Sequence, residues 1–364
     1  MNQTDTLVAG QGLAGSLLAM MLADRGVDVR VVAPGPEGSA TAAAAGILSP
    51  FTGPRYQAPA RLGELLTTAR STYQSLEAIL GCSLFTPQPI WRVLQAPEEI
   101  GQIKRRQDQH PAGDYLPSPT REGLPEGVMA PYGASCMHGG GHVALGQLQE
   151  HVRRHLHAAG RLIDDTLAPE AVVFETDGTV RWQQWRARRI IFCDGAGAFG
   201  NPWWRYLPWR RSCGESLTIA SEAPQGQPGL PGAIITGGKS LVPLDDGTHR
   251  LGATYDRDHA ACHPTEAARQ ELLAALPRLL QDPPPVRVVR GHAGVRPGSH
   301  PGPPFIGMHP EDDRIGILNG LGSRGTLLGP WHATRLADHI ALGRPLPADA
   351  DVRQRRDLPC PVDR

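Results

Sequence analysis

A surplus of charge of either sign is missing from this chain. Its 364 residues hold 36 Lys and Arg against 36 Asp and Glu, a formal net charge of zero. Nucleic-acid binders gain much of their affinity by neutralising phosphates and usually carry a basic excess. A nucleic-acid partner is therefore not expected. The basic runs Trp185–Arg189 and Val352–Arg356 read as solvated charge. Long apolar runs are missing too: none approaches the roughly 18 residues of a membrane span, so no such span is expected. The apolar start lacks a basic leader and contains Asp5 and Asp24, which argues against a secretory signal. The six cysteines, Cys82, Cys136, Cys193, Cys213, Cys262 and Cys360, form no CxxC pair. Their spacing suggests neither a disulfide framework nor a zinc site, and scattered thiols fit a cytoplasmic protein. Aromatic residues are scarce at 5%, whereas Gly (43) and Pro (35) abound, which predicts many turns and close backbone approaches.

What is present begins with "LVAGQGLAGSLLAMMLADRGVDVRVVAPG", Leu7 to Gly35. It reads as strand, glycine turn, helix, strand. Gly10-x-Gly12-x-x-Gly15 follows the first strand and opens the helix, the context in which this spacing admits a pyrophosphate at the helix N-terminus. The second strand ends in Ala33-Pro34, where such units place an acid for ribose hydroxyls. Ala33 cannot do that, so ribose selection must come from backbone groups or from elsewhere.

Further along, residues 61–80 and 145–160 have helical periodicity, as do 264–281. A strand is expected near 90–95, a polar helix near 97–107 and an irregular excursion over 108–134. Short antiparallel strands are expected between 215 and 254, a strand over 286–298, and strand, glycine loop and helix over 314–342. The Pro- and Arg-containing stretch after Gly343 is expected to be poorly ordered. The fold class is α/β. A discontinuous Rossmann-like nucleotide-binding domain over 1–80, 135–205 and 290–345 receives an inserted, mainly antiparallel substrate domain over 81–134 and 206–289. Residues 346–364 form a tail.

Several residues admit two readings. "SATAAAAGILSP", Ser39–Pro50, is either a small-residue helix start or backbone laid flat against a large planar group. Arg296, between an apolar strand and Pro297, needs an anionic partner, either a substrate carboxylate or a structural acid. Arg324 sits in a loop feeding a helix N-terminus, where it either serves the site or pairs within the loop. Tyr255 reads more readily as packed in the sheet than as facing substrate. Trp203, Trp204 and Trp209 fit a pocket entrance or the core equally well. His138 and His142 bracket a glycine turn, and two ligands at that spacing do not make a metal site; no metal is expected.

Five segments together are specific: the glycine motif, "TAAAAGIL" (Thr41–Leu48), "CDGAG" (Cys193–Gly197), "GVRPGSHPGPPFIG" (Gly294–Gly307) and "GLGSRGTLLGP" (Gly320–Pro330). They resemble the D-amino-acid-oxidase-like superfamily of FAD-dependent oxidoreductases, with the likeness spread over residues 5–345. Glycine oxidase, sarcosine oxidase and the oxidase domain of a tRNA-modifying enzyme belong to it. The resemblance implies that Gly10, Gly12 and Gly15, with Leu13 and Ala14 between them, hold the FAD pyrophosphate. It places Ala44, Ala45 and Gly46 close to the flavin, and Gly195 and Ala196 near the adenosine half. Gly322, Ser323, Arg324, Gly325 and Thr326 approach the pyrimidine side of the flavin. Arg296 matches the arginine that binds the substrate carboxylate in glycine oxidase. Ser240 stands where glycine oxidase has a tyrosine. No cysteine lies between Cys262 and Cys360, where the sarcosine-oxidase type attaches its flavin, so the FAD is expected to be non-covalent.

The expected activity is oxidation of the C–N bond of a small amine or amino acid of glycine or N-substituted-glycine type, by hydride transfer to flavin. Electrons would then pass to oxygen or a quinone. Two alternatives stand: oxidative removal of a carboxymethyl group from a modified tRNA wobble uridine, and a flavin-binding partner protein without turnover.

Overall fold

Strands Asn2–Ala9 and Trp185–Phe192 turn apolar in their second halves, and Val29–Val32 and Ile315–Asn319 are mostly apolar, the pattern of strands covered on both faces where they are buried. In the computed structural model, which describes residues 1–109, 114–225, 227–257, 262–299 and 302–355, these strands form the centre of one sheet. Asn2–Ala9 pairs in parallel with Trp185–Phe192 on one side and with Val29–Val32 on the other. Trp185–Phe192 in turn pairs with Ile315–Asn319. Short strands Leu162–Ile163 and Phe305–Met308 close the two edges, and a small antiparallel extension, Val173–Phe174 and Val180–Trp182, continues from Trp185–Phe192. Leu7, Val8, Val29, Ile190, Ile191 and Ile317 are fully buried in it. Helices Leu13–Asp24 and Gly325–Leu342 pack together; a Cβ on Gly329 would stand 3.1 Å from Leu17 Cδ1.

A second, seven-stranded sheet is mainly antiparallel, as the short strands and turns between 215 and 254 predict. Its backbone is the long pair Trp209–Ser221 and Val286–Ser299, with Arg210 opposite Gly298, Ser212 opposite Arg296, Gly214 opposite Gly294 and Ser216 opposite His292. Directly opposed residues in antiparallel strands share a face, so these eight positions present one surface. It is the surface that meets the helix Ala40–Ala43, through Gly294 and Ser216.

Four expectations are corrected. The helix expected over 264–281 runs only from Glu266 to Leu273 and gives way to a 3-10 turn at Leu276–Arg278. Pro277, which has no N–H to donate, accounts for the change. Cys213 and Cys262 form a disulfide, with Cα atoms 5.6 Å apart. They lie 49 residues apart in sequence, and the sheet register alone brings them together. The cysteine pattern thus no longer argues for a reducing compartment. Cys82, Cys136 and Cys193 are free, and Cys360 lies outside the described residues. The stretch after Gly343 is docked as far as it is described, residues 344–355: Ala350 accepts from Ile306 N–H at 3.3 Å, and Val352 and Arg355 are buried, while residues 356–364 lie outside the described residues. Its apolar residues lack any periodicity, which hid the docking from sequence.

Lastly, the two basic runs are not wholly solvated: Arg188 is exposed and pairs with Asp5, whereas Arg355 is buried. Arg186 pairs with Asp177, Arg353 with Asp351, and Arg189 is half-buried in its strand; Arg356 lies outside the described residues. No described helix is long and apolar enough to cross a membrane.

Val352→Asp would put a carboxylate at a fully buried position. It should lower the unfolding free energy by about 3 kcal/mol in urea denaturation. A loss under about 0.5 kcal/mol, the range of surface substitutions, would contradict the docking.

Candidate functional site

A groove of about 1190 Å³ opens where the parallel strands end, lined by Gly10, Ala33, Cys193 and Asn319, the residues at or just after the four strand C-termini. This is where ligands of open α/β sheets bind. Gly10 has φ +102°, and a Cβ there would come within 2.5 Å of Cys193 O. A Cβ on Gly15 would lie 1.9 Å from Gly10 O. Both glycines are therefore demanded by packing. Gly15 stands behind the groove wall, whereas Gly12, Leu13 and Ala14 line it. Gly12 supplies no side-chain cap, and Thr41 Oγ1 accepts from Leu13 N–H at 2.9 Å. The other N–H groups of the first turn are left for an anion.

The segment Ser39–Gly46 forms the next stretch of wall. Ser39 caps the short helix Ala40–Ala43 by accepting from Ala42 N–H at 3.1 Å. The far end is gripped from the second sheet: Ser216 Oγ donates to Ala43 O at 2.8 Å, and Arg250 Nη1 reaches Ala42 O and Ala43 O at 3.4 Å. Burial and the neighbouring Arg290 pull the Arg250 pKa down to about 10, so it still carries its charge. Beneath the helix, a Cβ on Gly294 would stand 2.8 Å from Ala40 Cα. Ala44 leaves the helix in extended geometry, and Ala44, Ala45 and Gly46 line the groove. Gly46 is held at φ +69° by contact with Val143 O, which a Cβ would approach to 2.0 Å.

Gly195 and Ala196 line the opposite wall, just after Asp194. Asp194 accepts from Asn319 Nδ2 at 3.0 Å and Asn201 Nδ2 at 3.3 Å, tying the ends of two parallel strands to the turn between them. Burial raises its pKa to about 6. Gly322, Ser323, Gly325 and Thr326 complete the groove. The Thr326 hydroxyl is already used, donating to Ile47 O at 2.7 Å.

A second chamber of about 650 Å³ adjoins the groove at Gly322 and Ser323. Arg296 lines both; Arg324 lines the second only. The Arg296 guanidinium lies over Gly214, where a Cβ would stand 2.1 Å from Nη2. Burial lowers the pKa of both arginines. Neither hydrogen-bonds nor ion-pairs with a described residue.

Some readings left open by the sequence resolve here. Tyr255 is 54% exposed and lines both spaces, so it is not packed in the sheet. Ser240 lines the groove. Trp203, Trp204 and Trp209 pack in a core cluster behind the parallel sheet, away from both spaces. His142 sits against Gly46, and no group of three or more metal-binding side chains exists among the described residues.

Two lining residues carried no sequence signal. Glu37 lines the groove four residues past Ala33, and its Oε2 folds back over Gly35, 2.4 Å from where a Cβ would be. His332 lines the second chamber from within the helix Gly325–Leu342, and burial pulls its pKa down to about 4. Irregular spacing hid the first, and a helical core position hid the second.

A parallel sheet with a glycine turn, a helix N-terminus with N–H groups left over and a long groove define a dinucleotide-binding protein. The chain belongs to the family of FAD-dependent oxidoreductases designated DAO, which matches over residues 5–339. It is 31% identical to glycine oxidase of Pseudomonas aeruginosa over 117 residues, a third of each chain (32%). It is 27% identical to the bifunctional tRNA 5-methylaminomethyl-2-thiouridine biosynthesis protein of Paracidovorax citrulli, over 98% of this chain and 60% of that one. The aligned region thus spans less than two thirds of either relative. The crystal structure of glycine oxidase from Geobacillus kaustophilus superposes with a TM-score of 0.79 at 18% identity, covering 95% of this chain and 96% of that one. The groove fits FAD: a Cβ at Gly10 or Gly15 would collide with the turn that a pyrophosphate requires.

The raised pKa of Asp194 makes a stability prediction. The unfolded chain loses this proton near the ordinary value of 3.8 and the folded chain near 6, so the folded state binds more protons between them. Stability contributed by this site therefore falls as pH rises from about 4 to 6 and stays reduced above. Asp194→Asn should gain on the parent by about 1–3 kcal/mol of unfolding free energy between pH 4 and pH 7. A difference that does not change with pH would contradict the buried titration.

Proposed function

We propose that this FAD-dependent oxidoreductase oxidises the C–N bond of a small amine that carries a carboxylate, of glycine or N-substituted-glycine type. The observation that carries this reading is Arg296: a half-buried guanidinium, without a counter-charge among the described residues, over a bare Gly214. A planar fork of N–H donors in that state suits one carboxylate held bidentately. Bound FAD supplies the two-electron acceptor.

The protein's part is positioning and charge. Arg296 fixes the acid end, which sets where the amine carbon lies. Arg210, Arg296 and Arg324 all line the chamber. Their field disfavours an ammonium and lowers the pKa of a bound amine, so the neutral amine is delivered without a dedicated base. His332 is neutral at working pH and adds no opposing charge. The free thiol on the groove wall, Cys193, is fully buried, and burial pushes its pKa well up. An inert thiol there agrees with non-covalent FAD. A carboxymethylaminomethyl group on tRNA, the alternative substrate, also presents a carboxylate and would use Arg296 in the same way.

Glu37 takes the place of the missing ribose acid in this reading, since it lines the groove just past the second strand. Glu37→Gln should weaken FAD binding by about tenfold, one charge-assisted hydrogen bond, as measured by fluorescence titration of the apoprotein. Unchanged affinity would remove Glu37 from the cofactor site.

Arg296→Gln should lower kcat/KM for amino acids by about 100-fold or more, with a much smaller change for uncharged amines. Gly214→Ala should move in the same direction, because its methyl displaces the guanidinium. Equal losses on charged and uncharged amines would refute the carboxylate role.

A further inference from the structure

The second chamber is charged out of proportion to the molecule. Among the described residues, Arg61, Arg106, Arg210, Arg296 and Arg324 line it against a single carboxylate, Asp349. Asp349 is taken by Arg61, whose Nη1 and Nη2 approach its oxygens at 2.6 and 3.3 Å. Arg106 donates to Arg55 O at 3.0 Å. The other three guanidinium groups have no hydrogen bond or ion pair to a described residue. Arg210 and Arg296 share one face of the second sheet, on adjacent strands one pair apart. Arg324 enters from the loop before the helix Gly325–Leu342.

One carboxylate occupies one guanidinium fork. If Arg296 holds the acid end of the amine, two further cations, Arg210 and Arg324, remain in the same chamber without a counter-charge among the described residues. Like charges gathered in a partly desolvated space repel one another and are tolerated where an anion completes the set. We propose that the substrate is a dianion: an N-substituted glycine whose second substituent ends in another carboxylate, held by Arg210 and Arg324 while Arg296 holds the first. This rests on the amine-oxidation reading for the chemistry, but the two-anion site is measurable without turnover.

The test uses the holoenzyme and the visible flavin spectrum. Titration with acids that cannot be oxidised compares succinate and glutarate with butyrate and valerate. The diacids should bind about tenfold tighter or more at low salt, the worth of one added charge-assisted pairing, and the gap should shrink as salt is raised. In the Arg210→Gln/Arg324→Gln variant the gap should narrow to under about threefold. In parallel, N-(2-carboxyethyl)glycine is compared with N-propylglycine as reductant of the flavin; the diacid should show the higher kcat/KM by a similar factor.

Equal affinity for diacids and monoacids in the parent enzyme overturns the proposal whether or not the variant folds. So does a gap that the double substitution leaves intact. Equal reduction by both amines, with no diacid preference in binding, overturns the dianion and leaves amine oxidation standing. A clear diacid preference with no amine reducing the flavin keeps the two-anion site and overturns amine oxidation.

Discussion

The geometry of both spaces depends on close approach across the long strand pair Trp209–Ser221 and Val286–Ser299, where two opposed positions carry no side chain. Gly294 lets the helix Ala40–Ala43 lie on the sheet, and Gly214 lets the Arg296 guanidinium lie flat beside it. A methyl at either would collide within 3 Å. The same face carries Ser216, which holds the Ala43 carbonyl, and Arg210. One bare patch of sheet thus sets a wall of the groove and the position of the Arg296 charge. Because both depend on the same register, a slip of one residue in this pair would disturb groove and chamber together.

The groove ends are fixed by polar contacts that also cross between elements. Asp194 joins the termini of two parallel strands through Asn319 and Asn201, and Thr326 joins the last helix to Ile47. Neither side chain is free to serve a ligand in these roles. They act as fasteners for backbone that is. That division, with small residues at the wall and hydrogen-bonding residues behind it, is what a site built from main-chain N–H and C=O groups requires.

The local parts of this arrangement were legible in the sequence. The glycine turn sits between recognisable periodicities, so Gly10, Gly12 and Gly15 announce strand, turn and helix. Arg296 is conspicuous because an apolar strand and a proline flank it. What the sequence hid arises from long-range register. Cys213 meets Cys262 only because the sheet pairs Cys213 with Asp256, six residues before Cys262. Arg210 looks like one of several adjacent arginines until the pairing places it beside Arg296, while Arg211 turns to the other face, over Phe199. Glu37 is invisible because the expected acid belongs at Ala33, and a chain that runs on four residues and folds back obeys no periodicity. Val352 docks through two or three side chains, too few to leave a pattern.

The cationic chamber belongs to a chain of zero formal charge. The remainder of the molecule must then carry a matching excess of acid. A small anion that reaches the mouth feels the nearby guanidinium groups, whose field the low-dielectric walls focus. Beyond a Debye length, about 8 Å at physiological salt, that pull is screened, so the chamber draws anions only from its immediate approach.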